Sequence, residues 1–261
     1  MHTYIRQYIT HVALLNILLQ GCSSDMGVND LSQVQAVVGN NVTVKPAYGL
    51  KALLHLAIQE AGEEKLSIAK WLVERAKYYV QQDVLEEAVS NTYYSALERA
   101  IIHRQSGILK VLLADIPECI YRGKNAKDGI TLLDLAAYVG FPPCMQLLVE
   151  KTGTDITEQD EDHGIPLHYA AVQGNIECML YLIEQLKCMG REDLLNATGG
   201  EFGFTPLHCL VHSKELKEDG VNLRRVITAL QESKDIRDCK GRTPKDLALS
   251  IHGCKISPDL L

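Results

Sequence analysis

Apolar and polar positions alternate along this chain in a unit that repeats. In its clearest form Pro166-Leu167-His168-Tyr169-Ala170-Ala171-Val172-Gln173-Gly174-Asn175 leads into Ile176, Met179, Leu180 and Ile183, which fall at helical spacing. The pattern predicts two short helices in succession. Leu167 points into the core, Ala170 and Ala171 let neighbouring helices approach closely, and Gly174 suits the left-handed residue that ends the first helix. The second helix is amphipathic.

The unit recurs. Thr205-Pro206-Leu207-His208 is one copy. Thr131-Leu132-Leu133-Asp134, followed by Leu135-Ala136-Ala137-Tyr138-Val139-Gly140, is another, and Thr243-Pro244-Lys245-Asp246-Leu247-Ala248 closes the series. Ala52-Leu53-Leu54-His55-Leu56-Ala57 and Ser95-Ala96-Leu97-Glu98-Arg99-Ala100 are weaker copies without the Thr-Pro pair. The shared Leu position falls at Leu54, Leu97, Leu133, Leu167, Leu207 and Lys245, so successive copies lie 34 to 43 residues apart. Each residue type has a mechanical role. The Thr hydroxyl caps a helix N-terminus. Pro occupies the first helical position, where no N–H is needed. Gly129, Gly203 and Gly241 stand two residues before the capping Thr, where a tight turn needs positive φ. Lys245 in place of Leu fits a last repeat that faces water.

These residues resemble the ankyrin-repeat family, most specifically from Asn125 to Ser250. The resemblance implies an all-α solenoid of about six helix-turn-helix repeats over 47–252, with a C-terminal tail at 253–261. It implies a protein-protein interaction module with no catalytic residue, no cofactor and no metal. It places partner contacts on the hairpin tips and the inner face of the first helices, a concave surface. In this chain those positions are Tyr48, Asn91, Thr92, Tyr94, Lys127, Ile130, Tyr138, Glu161, Asp162, Glu201, Phe202, Phe204, Lys240 and Arg242. The aromatic members stand out, since aromatic residues are enriched at binding hot spots.

Charge and chemistry change this picture little. A net charge of −7 without a Lys/Arg run argues against nucleic acid as the main partner. A monomer is expected. No Gly-rich phosphate loop, HExxH or GxSxG is present. Eight cysteines include no CxxC pair. Cys144 and Cys178 fall where a small buried residue is expected, and Cys119, Cys188 and Cys239 fall in expected loops as free thiols. His208, Cys209 and His212 are close in sequence, but His208 belongs to the repeat and ties adjacent turns together. Lys187 to Gly200 is expected to lengthen a loop, and Ser213 to Asn222 to form an exposed charged turn between two helices.

The N-terminus reads differently. Val12 to Leu19 is a short apolar run, followed by Gln20, Gly21 and Cys22. The run is too short for a bilayer core of about 30 Å and has the size of a signal-peptide core. Leu19-Gln20-Gly21-Cys22 is similar to the lipobox of bacterial lipoproteins, although Gln20 and the thin positive charge before the run depart from it. The resemblance implies that residues 1–22 are a signal peptide ending at a lipidated Cys22, with 23–46 a linker or small cap. The expected location is then a bacterial membrane, on its periplasmic or outer surface. A soluble repeat protein delivered into a host cell is the alternative, and a targeting subunit of an enzyme a remote one.

Overall fold

The computed structural model describes residues 96–115, 129–216, 220–252 and 254–261. Cys22, Tyr48, Asn91, Thr92, Tyr94, Cys119 and Lys127 lie outside the described residues, as do the first repeat copy and the 23–46 segment. The chain divides into two compact units, Met1–Ile116 and Pro117–Leu261.

In the first unit residues 96–102 are helical, a turn follows, and α1 runs from Ser106 to Asp115. The turn closes through Gln105 N–H donating to the Ala100 carbonyl at 2.8 Å, with Arg104 at φ 56°. Ala96, Leu97, Ala100 and Ile101 are buried before the turn, and Ile108, Leu109, Leu112 and Leu113 after it. This is the helical spacing of one repeat copy.

The second unit holds α2 (Leu132–Val139), α3 (Pro142–Thr152), α4 (Pro166–Val172), α5 (Ile176–Cys188), α6 (Pro206–His212), α7 (Gly220–Ala229) and α8 (Pro244–Ser250). The first helix of each repeat packs on the first helix of the next, so α2, α4, α6 and α8 form one row. The second helices α3, α5 and α7 form another. Leu133, Leu167 and Leu207 are fully buried, whereas Lys245 is exposed, as expected of a last repeat. Cys144, Cys178 and Cys209 are buried small residues, and their depth pushes the thiols of Cys144 and Cys209 up to about 12.

Glycine is required at position 140. It ends α2 at φ 74°, and a Cβ there would lie 2.2 Å from the Asn175 side chain. Asn175 uses that space to donate to the Ala137 and Tyr138 carbonyls, both at 2.9 Å, so one repeat caps the helix end of its neighbour.

Two connections differ from expectation. Cys188 ends α5 rather than lying in a loop, and the following segment is not an open loop. It forms a 3₁₀ turn, Glu192–Asn196, that buries Leu194 and Leu195. A matching turn, Gln231–Asp235, buries Ser233, whose hydroxyl donates to Asn196 Oδ1 at 2.6 Å. The segment after α6 is charged and exposed only in part. Lys214 and Glu215 are exposed, but Ser213 and Leu216 are buried. Leu216 lies against Gly174, and its carbonyl accepts from Lys255 Nζ at 2.9 Å. Among the described residues the only strand-like pairing is an isolated antiparallel bridge between Gly199 and Phe204. No described helix is long and apolar enough to cross a membrane.

Candidate interaction surface

The surface grows from the turn that precedes each first helix. Asp160 and Asp238 build the same turn. Asp160 Oδ1 accepts from the Asp162 and Gly164 amides at 2.8 and 2.7 Å; Asp238 Oδ1 accepts from the Lys240 and Arg242 amides, each at 2.8 Å. A carboxylate reaching its own backbone two and four residues on is a local solution to tight-turn geometry. The third turn position is left-handed in each case, at φ 63° for His163 and 76° for Gly241. Arg242 also closes on Asp238, Nη2 to Oδ2 at 2.7 Å. Burial opposes ionisation of Asp238, but the amide and guanidinium donors outweigh it and hold the carboxyl below its usual range.

Neighbouring tips are stitched together through the backbone. Gly200 N–H donates to the Asp162 carbonyl at 2.7 Å, and Cys239 N–H to the Phe202 carbonyl at 3.0 Å. Gly203, at φ 61°, faces Cys239: a Cβ there would come within 2.9 Å of the thiol sulfur. Gly203→Ala should therefore lower stability by about 1–2 kcal/mol, from left-handed strain plus the contact. A urea titration of both proteins measures it, and an unchanged midpoint would contradict the turn geometry.

Behind the tips a polar box fixes each first helix. His168 Nδ1 accepts from the Ile165 amide at 3.2 Å, and Nε2 lies 3.0 Å from the Ala197 carbonyl and 3.1 Å from that of Phe204. His208 Nδ1 lies 2.9 Å from Thr205 Oγ1, and Nε2 is 3.1 Å from the Arg242 carbonyl. A carbonyl only accepts, so Nε2 carries the proton in both rings. Burial lowers both imidazole pKa values, which keeps the rings neutral. With both nitrogens occupied, His208 has none left for a metal. Asp134 takes the same place in the third repeat: Oδ2 accepts from Thr131 N and Oγ1 at 2.8 and 2.7 Å. Its Oδ1 is buried without a partner among the described residues, and burial pushes the carboxyl up to about 6.

The exposed side keeps register from repeat to repeat and is apolar on α2 and α4. The residue five beyond the repeat Leu is Tyr138 on α2, Val172 on α4 and His212 on α6. Tyr138 and Val172 are each 45% exposed, and His212 is exposed. Ile102 is the equivalent residue of the first unit and is also exposed. Sequence reasoning selected Tyr138 but missed Val172 and His212; the shared register from the buried Leu was the signal that finds them.

In the fifth repeat this row continues to the tip through ring contacts. Phe202 lies 5.5 Å from Phe204, centroid to centroid; Phe204 stacks on His208 at 5.5 Å and lies 6.1 Å from His212. Lys240 Nζ sits 5.3 Å above the Phe202 ring. Phe202 is exposed, Phe204 half-buried. Of the other expected contact residues, Glu161, Asp162, Glu201 and Lys240 are exposed, while Ile130 and Arg242 are half-buried. The Arg242 guanidinium is held by Asp238 rather than offered outward.

A family model of ankyrin repeats, in three copies, matches residues 97–194 and again 133–238, together more than half of the chain. The chain is an ankyrin-repeat protein. Within this ankyrin-repeat chain, 137 residues are 24% identical to a tyrosine-protein kinase, HTK16, of Hydra vulgaris. That match takes in 52% of the chain but 17% of the kinase, so the chain spans less than a fifth of that relative. The repeats mark a protein-protein interaction module.

Proposed function

We propose that this chain is a non-enzymatic binding module that takes a protein partner on the tips and first helices of its repeats. The observation that carries the reading is the exposed row of Tyr138 and Val172, continued through His212, Phe204 and Phe202 to the tip. Tyr138, Val172 and Phe202 leave large apolar surface in water, while His168 and His208 beneath the row have both ring nitrogens occupied. Burying such rings is what aromatic hot spots contribute to an interface.

A displayed library of random peptides, selected on the immobilised full chain, tests it. Peptides that bind should be lost on a Tyr138→Ser, Phe202→Ser variant. They should be retained on a Met189→Ser control, which alters an exposed residue just past α5. Binding indifferent to the first variant would overturn the reading.

The location belongs to the same proposal. Cys22 is the lipid attachment site and residues 1–21 are removed, which tethers the repeats to a bacterial membrane. The support is the run from Val12 to Leu19 ending in Gly21-Cys22. Cys22→Ser should block processing, abolish incorporation of a palmitate analogue and move the protein to the soluble fraction. Unchanged mass and fractionation would instead favour a soluble protein delivered elsewhere.

A further inference from the structure

We infer that the partner segment is cationic as well as apolar: a stretch of protein chain with Lys or Arg placed beside aliphatic or aromatic residues. The inference rests on the binding face proposed above and adds the chemistry of what sits there.

Two edges of one surface carry it. The inner edge is the row of Tyr138, Val172 and His212. The outer edge is the pair of tips at 160–163 and 200–203, joined by the bond from Gly200 N–H to the Asp162 carbonyl. The edges are physically continuous, because Phe202 and Phe204 run from the tip to His212 with centroid steps of 5.5 and 6.1 Å. Along the outer edge Glu161, Asp162 and Glu201 are exposed.

None of these three carboxylates takes part in an ion pair or side-chain hydrogen bond among the described residues. Contrast the other carboxylates of the turns. Asp160 accepts from two amides and from the Tyr169 hydroxyl at 2.6 Å, and Asp238 holds Arg242. Those acids build the turns; Glu161, Asp162 and Glu201 do not.

The positive charges of the next tip offset the edge only in part. Arg242 is neutralised by Asp238, and Lys240 keeps its charge over the Phe202 ring, which leaves the three carboxylates in excess. The surface therefore presents an anionic rim beside an apolar strip, in a chain of net charge −7. A cationic segment is drawn to the rim and steered by it, while its apolar side chains cover the strip. An acidic segment meets like charge across the same rim and is disfavoured.

The same peptide selection provides the test, read now by composition. Enriched peptides should carry Lys or Arg within a few positions of Leu, Ile, Phe or Tyr. On the triple variant Glu161→Lys, Asp162→Lys, Glu201→Lys their Kd should rise roughly tenfold, as three rim charges reverse. Raising NaCl should weaken binding to the wild type more than to the variant. Peptides lost on Tyr138→Ser, Phe202→Ser but acidic, or indifferent to the charge reversal, overturn this inference and leave the face in place. Peptides that survive Tyr138→Ser, Phe202→Ser overturn the face itself.

Discussion

Leu207→Ala should destabilise the chain by about 2–5 kcal/mol, the usual range for truncating a fully buried Leu. Leu207 is inaccessible to solvent, and α6, on which it stands, packs against both α4 and α8. Emptying that position removes contacts on two repeat interfaces at once, and a close-packed interior cannot fully close the cavity. Phe204→Ala should cost less. Its ring is half-buried, stacked on His208, and its bridge to Gly199 is made by backbone atoms that the substitution leaves. For binding the order should reverse, with Phe204→Ala weakening association by about 1–2 kcal/mol. Thermal melts and a titration with a selected peptide compare the two. If Phe204→Ala melts as early as Leu207→Ala, the ring is core.

The second large effect concerns Asp134 and pH. In the fourth and fifth repeats an imidazole presents an Nε2 proton to the next repeat, to the Ala197 and Phe204 carbonyls or to that of Arg242. Asp134 presents a buried carboxyl whose Oδ1 has no partner among the described residues. Protonated, that oxygen becomes a donor, as the histidines are. Burial, with Asp160 and Glu158 adding like charge, raises the carboxyl from 3.8 to about 6 in the fold, although Thr131 partly offsets this. A group whose pKa is raised on folding stabilises below its unfolded pKa, and that contribution is lost as pH rises through the folded value. Asp134 should therefore cost stability progressively between about pH 4 and 6, by about 3 kcal/mol at most.

His168 and His208 work in the opposite sense. Their lowered pKa values favour the fold as pH rises through the ordinary imidazole range. The comparison that isolates Asp134 is thus with Asp134→Asn, whose amide supplies acceptor and donor together. The two proteins should have similar stability near pH 4, and the variant should gain on the wild type up to pH 7. A stability difference independent of pH would contradict this account. Asp134→His, which installs the residue of the neighbouring repeats, should give the same gain near pH 7.

Much of this was legible in the sequence, because the box is local. A Thr three residues before His or Asp, a Pro between them, a buried Leu and a glycine two residues upstream all act within one turn of chain. The conformations of Gly129, Gly203 and Gly241 accordingly follow from position alone. What was not legible crosses between repeats. The bonds from Asn175 to the end of α2 join residues 37 and 38 apart, and Leu216 settles on Gly174 across a similar span. Periodicity reports which face of a helix is buried but says nothing of which neighbour caps it. Arg242 differs for a local reason. Its place at a tip suggested an outward charge, yet Asp238, four residues earlier, holds it. Neither Val172 nor His212 stands out as a residue type in isolation; their meaning lies in the register they share with Tyr138.

Hydrogen exchange on the full chain, with and without a selected peptide, tests the binding face most directly. Protection is expected on the first helices and tips, around residues 134–140, 168–174, 199–204 and 208–213, with α3, α5 and α7 little changed. Protection confined to α3, α5 and α7, with the tips unaffected, would contradict it.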